Sequence, residues 1–275
     1  MVLITDILAA ELDSELDLPD IEHLKELDPD KLYQYFAKHP QFKSFLKEFE
    51  KALYLQVCFI IDVTGSMAHY SNFKNNTIGL IMDSLLEFMN KKSKKRYSFI
   101  GYRERDEKEL EPLIFENFTD DRLKIQNQIN EVKLEGGGDT PEDIELALKI
   151  FCDDIEFDQG GTRIIIHIAD APCHGSDYND CLVDNHPERS NDIPRLLKKI
   201  ACNYNCAYWF VKVSDSTDKM IRRFNEILQR EAPNREFNRI VELDLRNLRA
   251  DLVKQIMLEN ILKTTLTTAL IASKR

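Results

Sequence analysis

The chain has 275 residues, of which 43% are hydrophobic and 31% are charged, and it carries a formal net charge of −11. This composition is typical of a globular protein, and the acidic balance excludes a domain-wide positive field that would attract nucleic acid. No run approaches the roughly 18 uncharged hydrophobic residues of a membrane span, so we expect neither a membrane span nor a nucleic-acid partner. Six cysteines are too few for a disulfide scaffold, and the N-terminus lacks the basic start of a signal peptide. We therefore expect a cytoplasmic protein with reduced thiols.

Residues 1–52 are predicted to form an acidic helical N-terminal extension. Residues 1–30 contain ten acids and one lysine, and so carry −9 of the total charge. Further along, Phe42, Phe45, Leu46 and Phe49 fall on one face of a helix. We expect this face to pack on the domain that follows, with docking on another protein as the alternative.

Residues 53–275 are predicted to form one α/β domain, because strand-like and helix-like patterns alternate along them. The predicted strands are 54–61, 96–103, 112–117, 163–169, 206–213 and 237–243. The predicted helices are 71–92, 120–132, 141–154, 188–203, 217–230 and 247–270. This alternation predicts a doubly wound, Rossmann-like, mostly parallel six-stranded sheet with helices on both faces. The short link from Glu104 to Glu111 favours a hairpin, and hence one antiparallel edge strand. The basic cluster at 91–96 is interpreted as a solvated helix end.

The first predicted strand ends on a carboxylate that is followed by two hydroxyls. These are Asp62, Thr64 and Ser66, within the sequence DVTGSM at 62–67. Hard oxygen donors on one tight turn suit a small hard cation such as Mg²⁺. The predicted strand 163–169 also ends on a carboxylate, Asp170, and neighbouring parallel strands would bring both carboxylates to the ligand-binding edge of the sheet. Two carboxylates held close repel each other unless a positive charge lies between them.

A glycine-rich segment, GGGDTPED at 136–143, is predicted to reach the same edge. Three glycines permit a backbone path closed to other residues, which would let Thr140 present its hydroxyl there. Structural interpretations stay open for these residues. Thr64 can cap the following helix. Thr140 also fits an N-cap, because a proline follows it at the first helical position and Asp143 lies at the capping-box position. An aspartate after a strand is often a turn residue.

The pattern Asp62-x-Thr64-x-Ser66 resembles the opening of the metal-ion-dependent adhesion site (MIDAS) of von Willebrand factor type A domains. Thr140 matches the separate threonine of that family and Asp170 its later aspartate, and the resemblance covers residues 53–272. Within the family, segments 136–143 and 169–175 are most similar to the intracellular A-type domains attached to some α-type protein kinases.

The resemblance implies a non-enzymatic, metal-dependent protein-binding module. It implies that Ser66, Thr64 and Thr140 coordinate Mg²⁺, or alternatively Mn²⁺ or Ca²⁺, through their hydroxyls, while Asp62 and Asp170 hold the ion largely through water. Since carboxylates outside the first coordination layer leave the ion short of negative charge, an open position would attract an Asp or Glu carboxylate of a protein partner. The kinase-attached relatives imply a kinase-linked context.

Two other functions stay open from the sequence. A Mg²⁺-dependent phosphotransferase or phosphatase could use Asp62 as phosphoryl acceptor, with Lys212 near a late strand end as a phosphate partner. The other is a scaffold with a vestigial site.

Several further titratable residues are expected to be structural. Cys173, His174, Cys181 and His186 fit no compact zinc pattern and are interpreted as a loop over the metal edge. His167 is expected to be packed inside its strand. The charged residues 103–106 are expected to form a solvated turn.

Overall fold

The protein is described from a computed structural model, which covers residues 34, 37–38, 43–88, 93–105, 111–246 and 248–273. Most of the predicted N-terminal extension, including its acidic first thirty residues, lies outside this part of the chain. The described part contains one sheet with helices packed on both faces. Its bounds and strand order allow the predicted α/β fold to be tested directly.

The sheet has six strands, each within three residues of a predicted one. They are β1 (Leu55–Asp62), β2 (Lys95–Tyr102), β3 (Leu113–Thr119), β4 (Thr162–Ala169), β5 (Cys206–Lys212) and β6 (Ile240–Asp244). Their order across the sheet is β3-β2-β1-β4-β5-β6. All neighbouring strands are parallel except β2 and β3, which run antiparallel and place β3 at the edge. The predicted doubly wound sheet with one antiparallel edge strand is therefore confirmed.

The helices divide between the two faces of the sheet. They are α1 (Lys43–Ala52), α2 (Ser71–Glu87), α3 (Arg122–Glu131), α4 (Ile144–Asp153), α5 (Ile193–Cys202), α6 (Asp218–Glu231) and α7 (Ala250–Ser273). Helices α1, α2, α3 and α7 contribute to one hydrophobic core, and α4, α5 and α6 to the other. Among the described residues no helix is both long and hydrophobic enough to cross a membrane.

The central strand β1 shows why this sequence forms a two-faced sheet. Every residue from Leu55 to Asp62 is buried. Val57 and Phe59 face the first core, whereas Cys58 and Ile60 face the second. Because successive side chains of a strand point to opposite faces, a strand covered on both sides is largely hydrophobic. The hydrophobic run from Val57 to Ile61 is the signature of this position.

Helix α1, the described part of the predicted extension, packs on the sheet domain. Its side chains Phe45 and Phe49 are 5% and 0% exposed and belong to the same core as α7. The packing partners of α7 include α1 and α2. Phe45 and Phe49 of the predicted hydrophobic face are therefore used within the chain, whereas Phe42 lies outside the described residues. The division into domains 1–52 and 53–275 stays a prediction.

The basic cluster at 91–96 differs from its interpretation as a helix end. Helix α2 ends at Glu87, and Lys95 and Arg96 are the first residues of β2. Arg96 pairs with Asp158 at 2.7 Å and donates to the carbonyl of Phe118. The last two residues of the cluster are therefore part of the sheet, where the long stems of these side chains can lie along it. Residues 91 and 92 lie outside the described part of the chain.

Candidate metal site

The predicted site lies where the strand order reverses. Strands β1 and β4 are neighbours in parallel register, with Ile61 beside Ile168. Asp62 is the last residue of β1, and Asp170 directly follows β4. The two helices that follow these strands lie on opposite faces, so a crevice forms at this edge, as expected of a doubly wound sheet.

Four of the five predicted residues form one chain of hydrogen bonds. The Thr64 hydroxyl donates to Asp62 Oδ1 at 2.6 Å, and the Thr64 backbone N–H donates to the same oxygen at 2.9 Å. The hydroxyls of Thr64 and Ser66 are 3.1 Å apart, and Ser66 donates to Asp170 Oδ1 at 2.9 Å. Two carboxylates and two hydroxyls, all hard oxygen donors, therefore meet at one place.

The fifth residue, Thr140, lines the same small cavity as Ser66 and Asp170. This cavity has a volume of about 170 Å³. The Thr140 and Ser66 side chains are exposed, whereas Asp62 and Thr64 are fully buried at 0% exposure. The site thus has a buried base and a rim open to solvent. All five predicted residues lie at one edge of the sheet, and their roles as metal ligands remain predictions.

Burial leaves the base of the site electrostatically unbalanced. Asp62 Oδ2 is buried and has no hydrogen-bond partner among the described residues. Burial, and next the charge of Asp170, raise the pKa of Asp62 from 3.8 to about 7. Burial likewise raises the pKa of Asp170. An unpartnered buried carboxylate oxygen beside a second carboxylate fits a bound cation, and the hydroxyl and carboxylate donors suit a hard divalent ion.

The glycine-rich loop reaches the site by close backbone approach. Gly136 and Gly137 have φ values of 91° and 95°, a region that favours glycine. The Gly65 N–H donates to the Gly136 carbonyl at 2.9 Å, and a Cβ on Gly65 would lie 3.0 Å from that oxygen. The loop therefore lies directly against the turn that carries Thr64 and Ser66, which is how Thr140 arrives at the rim.

The capping role considered for Thr140 is wrong. Helix α4 begins at Ile144, and its N-cap is Asp143, whose carboxylate accepts from the Leu146 N–H at 3.1 Å. Arg105 holds the Asp143 carboxylate from the other side with a hydrogen bond of 2.7 Å. Thr140 is thus outside the helix. The Thr64 hydroxyl is likewise directed to Asp62 and Ser66.

Two residues near the site were missed by the sequence analysis. Arg103 is 3% exposed, and it donates to the carbonyl of Lys133 at 2.9 Å and to that of Val63, so it ties the segment before the glycine-rich loop to the end of β1. Glu142 is 2% exposed and lines the cavity. Burial, and next the charge of Asp62, raise the pKa of Glu142 to about 11. In the sequence, the only sign of a role for either residue was its position. Arg103 directly follows β2, and Glu142 lies two residues after Thr140.

The charged segment at the end of β2 is buried, so the expected solvated turn is wrong for its first two residues. Glu104 is 4% exposed. It accepts from His174 Nε2 at 2.7 Å and from Arg189 Nη1 at 2.5 Å. His174 Nδ1 lies 2.7 Å from Asp184 Oδ1. Burial alone would lower the pKa of His174, but the carboxylates of Glu104 and Asp184 raise it above its ordinary value.

A second group of possible metal ligands lies in the loop after β4. One ligand atom each from Asp139, His174 and Asp184 lie within 4.8 Å of one another. These atoms already have partners, however, since Asp184 Oδ2 accepts from Gly175 N–H at 2.7 Å and His174 lies between two carboxylates. An ion here would have to displace hydrogen bonds. The four residues considered for zinc form no ligand group among the described residues.

His167 is packed in the core as expected. Its Nε2 is 2.9 Å from the hydroxyl of Tyr102 and its Nδ1 is 2.7 Å from that of Tyr208. Burial lowers the pKa of His167 to about 3, so the ring is neutral near pH 7.

Residues 57–172 match the family model of the von Willebrand factor type A domain. This segment contains most of β1, all of β4, the glycine-rich loop and all five predicted site residues. The resemblance inferred from the motif is therefore confirmed for this segment, which is similar to von Willebrand factor type A domains.

The chain is similar to one curated relative and to solved structures. It is 26% identical over 194 residues to Alpha-protein kinase vwkA of Dictyostelium discoideum, a match that covers 69% of this chain and 30% of that protein. The pilus adhesin SpaC of Lactobacillus rhamnosus GG, in its open conformation, is 12% identical with a TM-score of 0.48, over 77% of this chain and 30% of that chain. The conserved hypothetical protein BatB of Bacteroides thetaiotaomicron is 11% identical with a TM-score of 0.46, over 76% and 99%.

Proposed function

We propose that this protein is a metal-dependent protein-binding module. A divalent ion of the Mg²⁺ type, at the carboxyl edge of the sheet, would capture an Asp or Glu carboxylate of a protein partner. The observation that carries the proposal is the buried Asp62 carboxylate, whose Oδ2 has no hydrogen-bond partner among the described residues. It is linked through Thr64 to Ser66 and Asp170, which line the cavity together with Thr140. A cation would supply the missing partner.

The donor set favours capture of an outside anion. Three hydroxyls, of Thr64, Ser66 and Thr140, are neutral donors, so an ion held by them keeps more positive charge than one held by carboxylates alone. Ser66 and Thr140 are exposed at the rim, where a partner can approach. Mg²⁺ accepts this arrangement, and Mn²⁺ and Ca²⁺ also prefer oxygen ligands.

The loop after β4 supplies a rim for the partner. Leu182 and Val183 are 103% and 60% exposed. The same loop is tied to the cavity, because the Asn185 N–H donates to the Asp139 carboxylate at 2.8 Å, and Asp139 lines the cavity. We propose that hydrophobic side chains of the partner contact this loop while its carboxylate reaches the ion.

Binding is favoured over catalysis by the position of the candidate nucleophile. Asp62 is fully buried below Thr64, which disfavours in-line attack on a phosphoryl group. Lys212, considered as a phosphate partner, is paired with Asp218 at 2.6 Å and with Asp215 at 3.0 Å. We propose a non-enzymatic role on these grounds.

The cellular context is also a proposal. The six cysteines are free thiols, which fits a reducing, cytoplasmic location. The chain spans 30% of the length of its curated kinase relative. By this likeness we propose a kinase-linked context, in which the module would recruit partners.

Thermal unfolding with Mg²⁺ or Mn²⁺ tests the ion site. Ion binding to the folded state alone stabilises it by about 2.7 kcal/mol at a hundredfold excess over the dissociation constant. We expect this gain for the natural protein and its loss in Ser66→Ala, which removes a hydroxyl without opening the buried base. Ser214→Ala, in a turn outside the cavity lining, is the control. No shift with millimolar ion would identify the site as vestigial.

Partner capture is tested with a displayed library of peptides. We expect retained peptides to contain an Asp or Glu, to elute with EDTA, and to lose binding when that residue is changed to its amide. Retention that survives EDTA, or that survives the amide change, would contradict capture through the ion. Incubation with a generic phosphatase substrate serves as the test of catalysis, and turnover abolished by Asp62→Asn would overturn the non-enzymatic proposal.

A further inference from the structure

Glu142 is a buried carboxylate that the family motif leaves without a role. It is 2% exposed, and its Oε2 has no hydrogen-bond partner among the described residues. Its side chain lines the same cavity as Ser66, Thr140 and Asp170. A buried carboxylate oxygen without a partner is unfavourable in a folded protein, so either a proton or a positive partner must compensate it.

The backbone holds Glu142 in place beside the site. Its N–H donates to the carbonyl of Pro172 at 2.9 Å, in the segment that follows Asp170. The glycine-rich loop passes directly over the carboxylate, since a Cβ on Gly137 would lie 3.1 Å from Glu142 Oε1 and 3.6 Å from Thr64 Cβ. The carboxylate is thus enclosed between the loop, Thr64 and the cavity.

The other buried glutamates show what a structural role looks like. Both oxygens of Glu104 accept hydrogen bonds, from His174 and Arg189. Both oxygens of Glu145, 6% exposed, accept as well, from Lys149 at 3.1 Å and from the Asp192 N–H at 2.6 Å. Glu142 differs by its unpartnered oxygen and by its place on the cavity wall.

Glu142 and Asp62 together point to one missing cation. Each carries a buried carboxylate oxygen without a partner among the described residues. Glu142 lines the cavity together with Ser66 and Asp170, the two residues that continue the hydrogen-bond chain from Asp62 and Thr64. Like charges that share a site are disfavoured unless an opposite charge lies close to both. A single divalent ion can compensate the charge of both oxygens, whereas one hydrogen-bond donor would compensate only one of them.

We propose that Glu142 is a third carboxylate of the ion site, facing the bound ion together with Asp62 and Asp170. The inference rests on the proposed function, because it assigns Glu142 to the same ion. Its consequence is that the chain holds a divalent ion before any partner carboxylate arrives, while the coordination position proposed for the partner stays open. Removing the Glu142 charge then weakens ion binding without weakening the ion-free fold.

The test is titration of the full chain with Mn²⁺ alone, followed by electron paramagnetic resonance, for the natural protein, Glu142→Gln and Glu145→Gln. Supporting groups around a metal typically change its affinity by about 10- to 100-fold. We expect Glu142→Gln to weaken Mn²⁺ binding at least about tenfold, and Glu145→Gln to leave it within about twofold. Urea unfolding in EDTA gives the second readout. The midpoint of Glu142→Gln should not fall, whereas that of Glu145→Gln should.

Each outcome has a distinct meaning. Mn²⁺ affinity of Glu142→Gln within about twofold of the natural protein, while Asp62→Asn abolishes binding, overturns the role of Glu142 and leaves the proposed function standing. A lower urea midpoint for Glu142→Gln with unchanged affinity assigns it a structural role, and also overturns the inference. Absence of Mn²⁺ binding by the natural protein overturns both proposals. Should Glu142→Gln fail to fold, Glu142→Asp, which keeps the charge on a shorter stem, must show weakened Mn²⁺ binding.

Discussion

The substitution Asp62→Asn tests the electrostatic account of the site most directly. Asparagine keeps the size of the side chain and the oxygen that accepts from Thr64 at 2.6 and 2.9 Å. It replaces the unpartnered Oδ2 by an amide, which can donate towards Asp170. We therefore expect the ion-free protein to become more stable, and the stabilisation by Mg²⁺ to disappear.

The magnitude follows from the pKa of Asp62. Burial and the nearby Asp170 raise this pKa from 3.8 to about 7. Between those values the folded, ion-free protein still holds a proton that the unfolded chain has released, so the free energy of unfolding falls as the pH rises. At about 1.4 kcal/mol per pH unit, the loss is on the order of 4 kcal/mol above pH 7, an upper figure since Asp62 and Asp170 titrate together. Asp62→Asn removes this loss.

Urea unfolding in EDTA and in Mg²⁺ measures the effect at about pH 5 and about pH 8. In EDTA, the advantage of Asp62→Asn should be about 1.5 kcal/mol at the lower pH and should reach up to about 4 kcal/mol at the higher. Asp120→Asn, at an exposed aspartate, is the matched control and should change neither value. A lower stability of Asp62→Asn at the higher pH in EDTA, or an undiminished gain from Mg²⁺, would refute the reasoning.

Three further predictions concern the scaffold. Gly160 and Gly161 have φ values of 76° and 77°, but a Cβ would meet nothing at Gly160 and would collide with the carbonyl of Tyr54 at Gly161. In urea unfolding, Gly160→Ala should therefore cost about 1 kcal/mol and Gly161→Ala more than about 3 kcal/mol; equal losses would contradict the clash. Burial would raise the pKa of Asp184, but hydrogen bonds from Gly175 and its neighbours lower it to about 2. This stabilisation is present above about pH 4 and is lost towards pH 2, so Asp184→Asn should cost about 2 kcal/mol at neutral pH and progressively less as acid is added. Phe49→Ala should cost about 3–4 kcal/mol by urea unfolding, and a loss below about 1 kcal/mol would contradict the packing of α1 on the sheet domain.

The alternation of strand-like and helix-like patterns predicted the sheet, because strands and helices have different spacings of hydrophobic residues. Strands β1 and β4 are mostly hydrophobic and are buried along almost their whole length, since helices cover both faces of the sheet. The short link after β2 was enough to predict the antiparallel edge strand. The start of α4 was placed three residues early, at 141 instead of Ile144, because Thr140 and Asp143 both suit an N-cap. Which of two good caps is used depends on tertiary contacts, here the pair of Asp143 with Arg105.

The residues of the site likewise divide into those that the sequence predicted and those that it did not. Asp62, Ser66 and Asp170 were identified because carboxylates and hydroxyls directly follow two hydrophobic strands, and parallel strands deliver their ends to one edge. Arg103 and Glu142 were missed, because arginine and glutamate are usually exposed and both residues lie in polar stretches of the sequence. Only contacts across the fold show that both are buried.

By itself, the sequence determined which strands are followed by carboxylates and hydroxyls, and therefore the edge of the sheet at which these oxygen donors gather. The tertiary structure alone decided which charges are buried and with what partners. Glu104, for example, meets His174 from 70 residues away and Arg189 from 85 residues away. The physical reason is how far apart in the sequence the interacting residues lie. Hydrophobic periodicity and turn chemistry are local properties that can be read along the chain, whereas the balance of a buried charge depends on groups that only folding brings together.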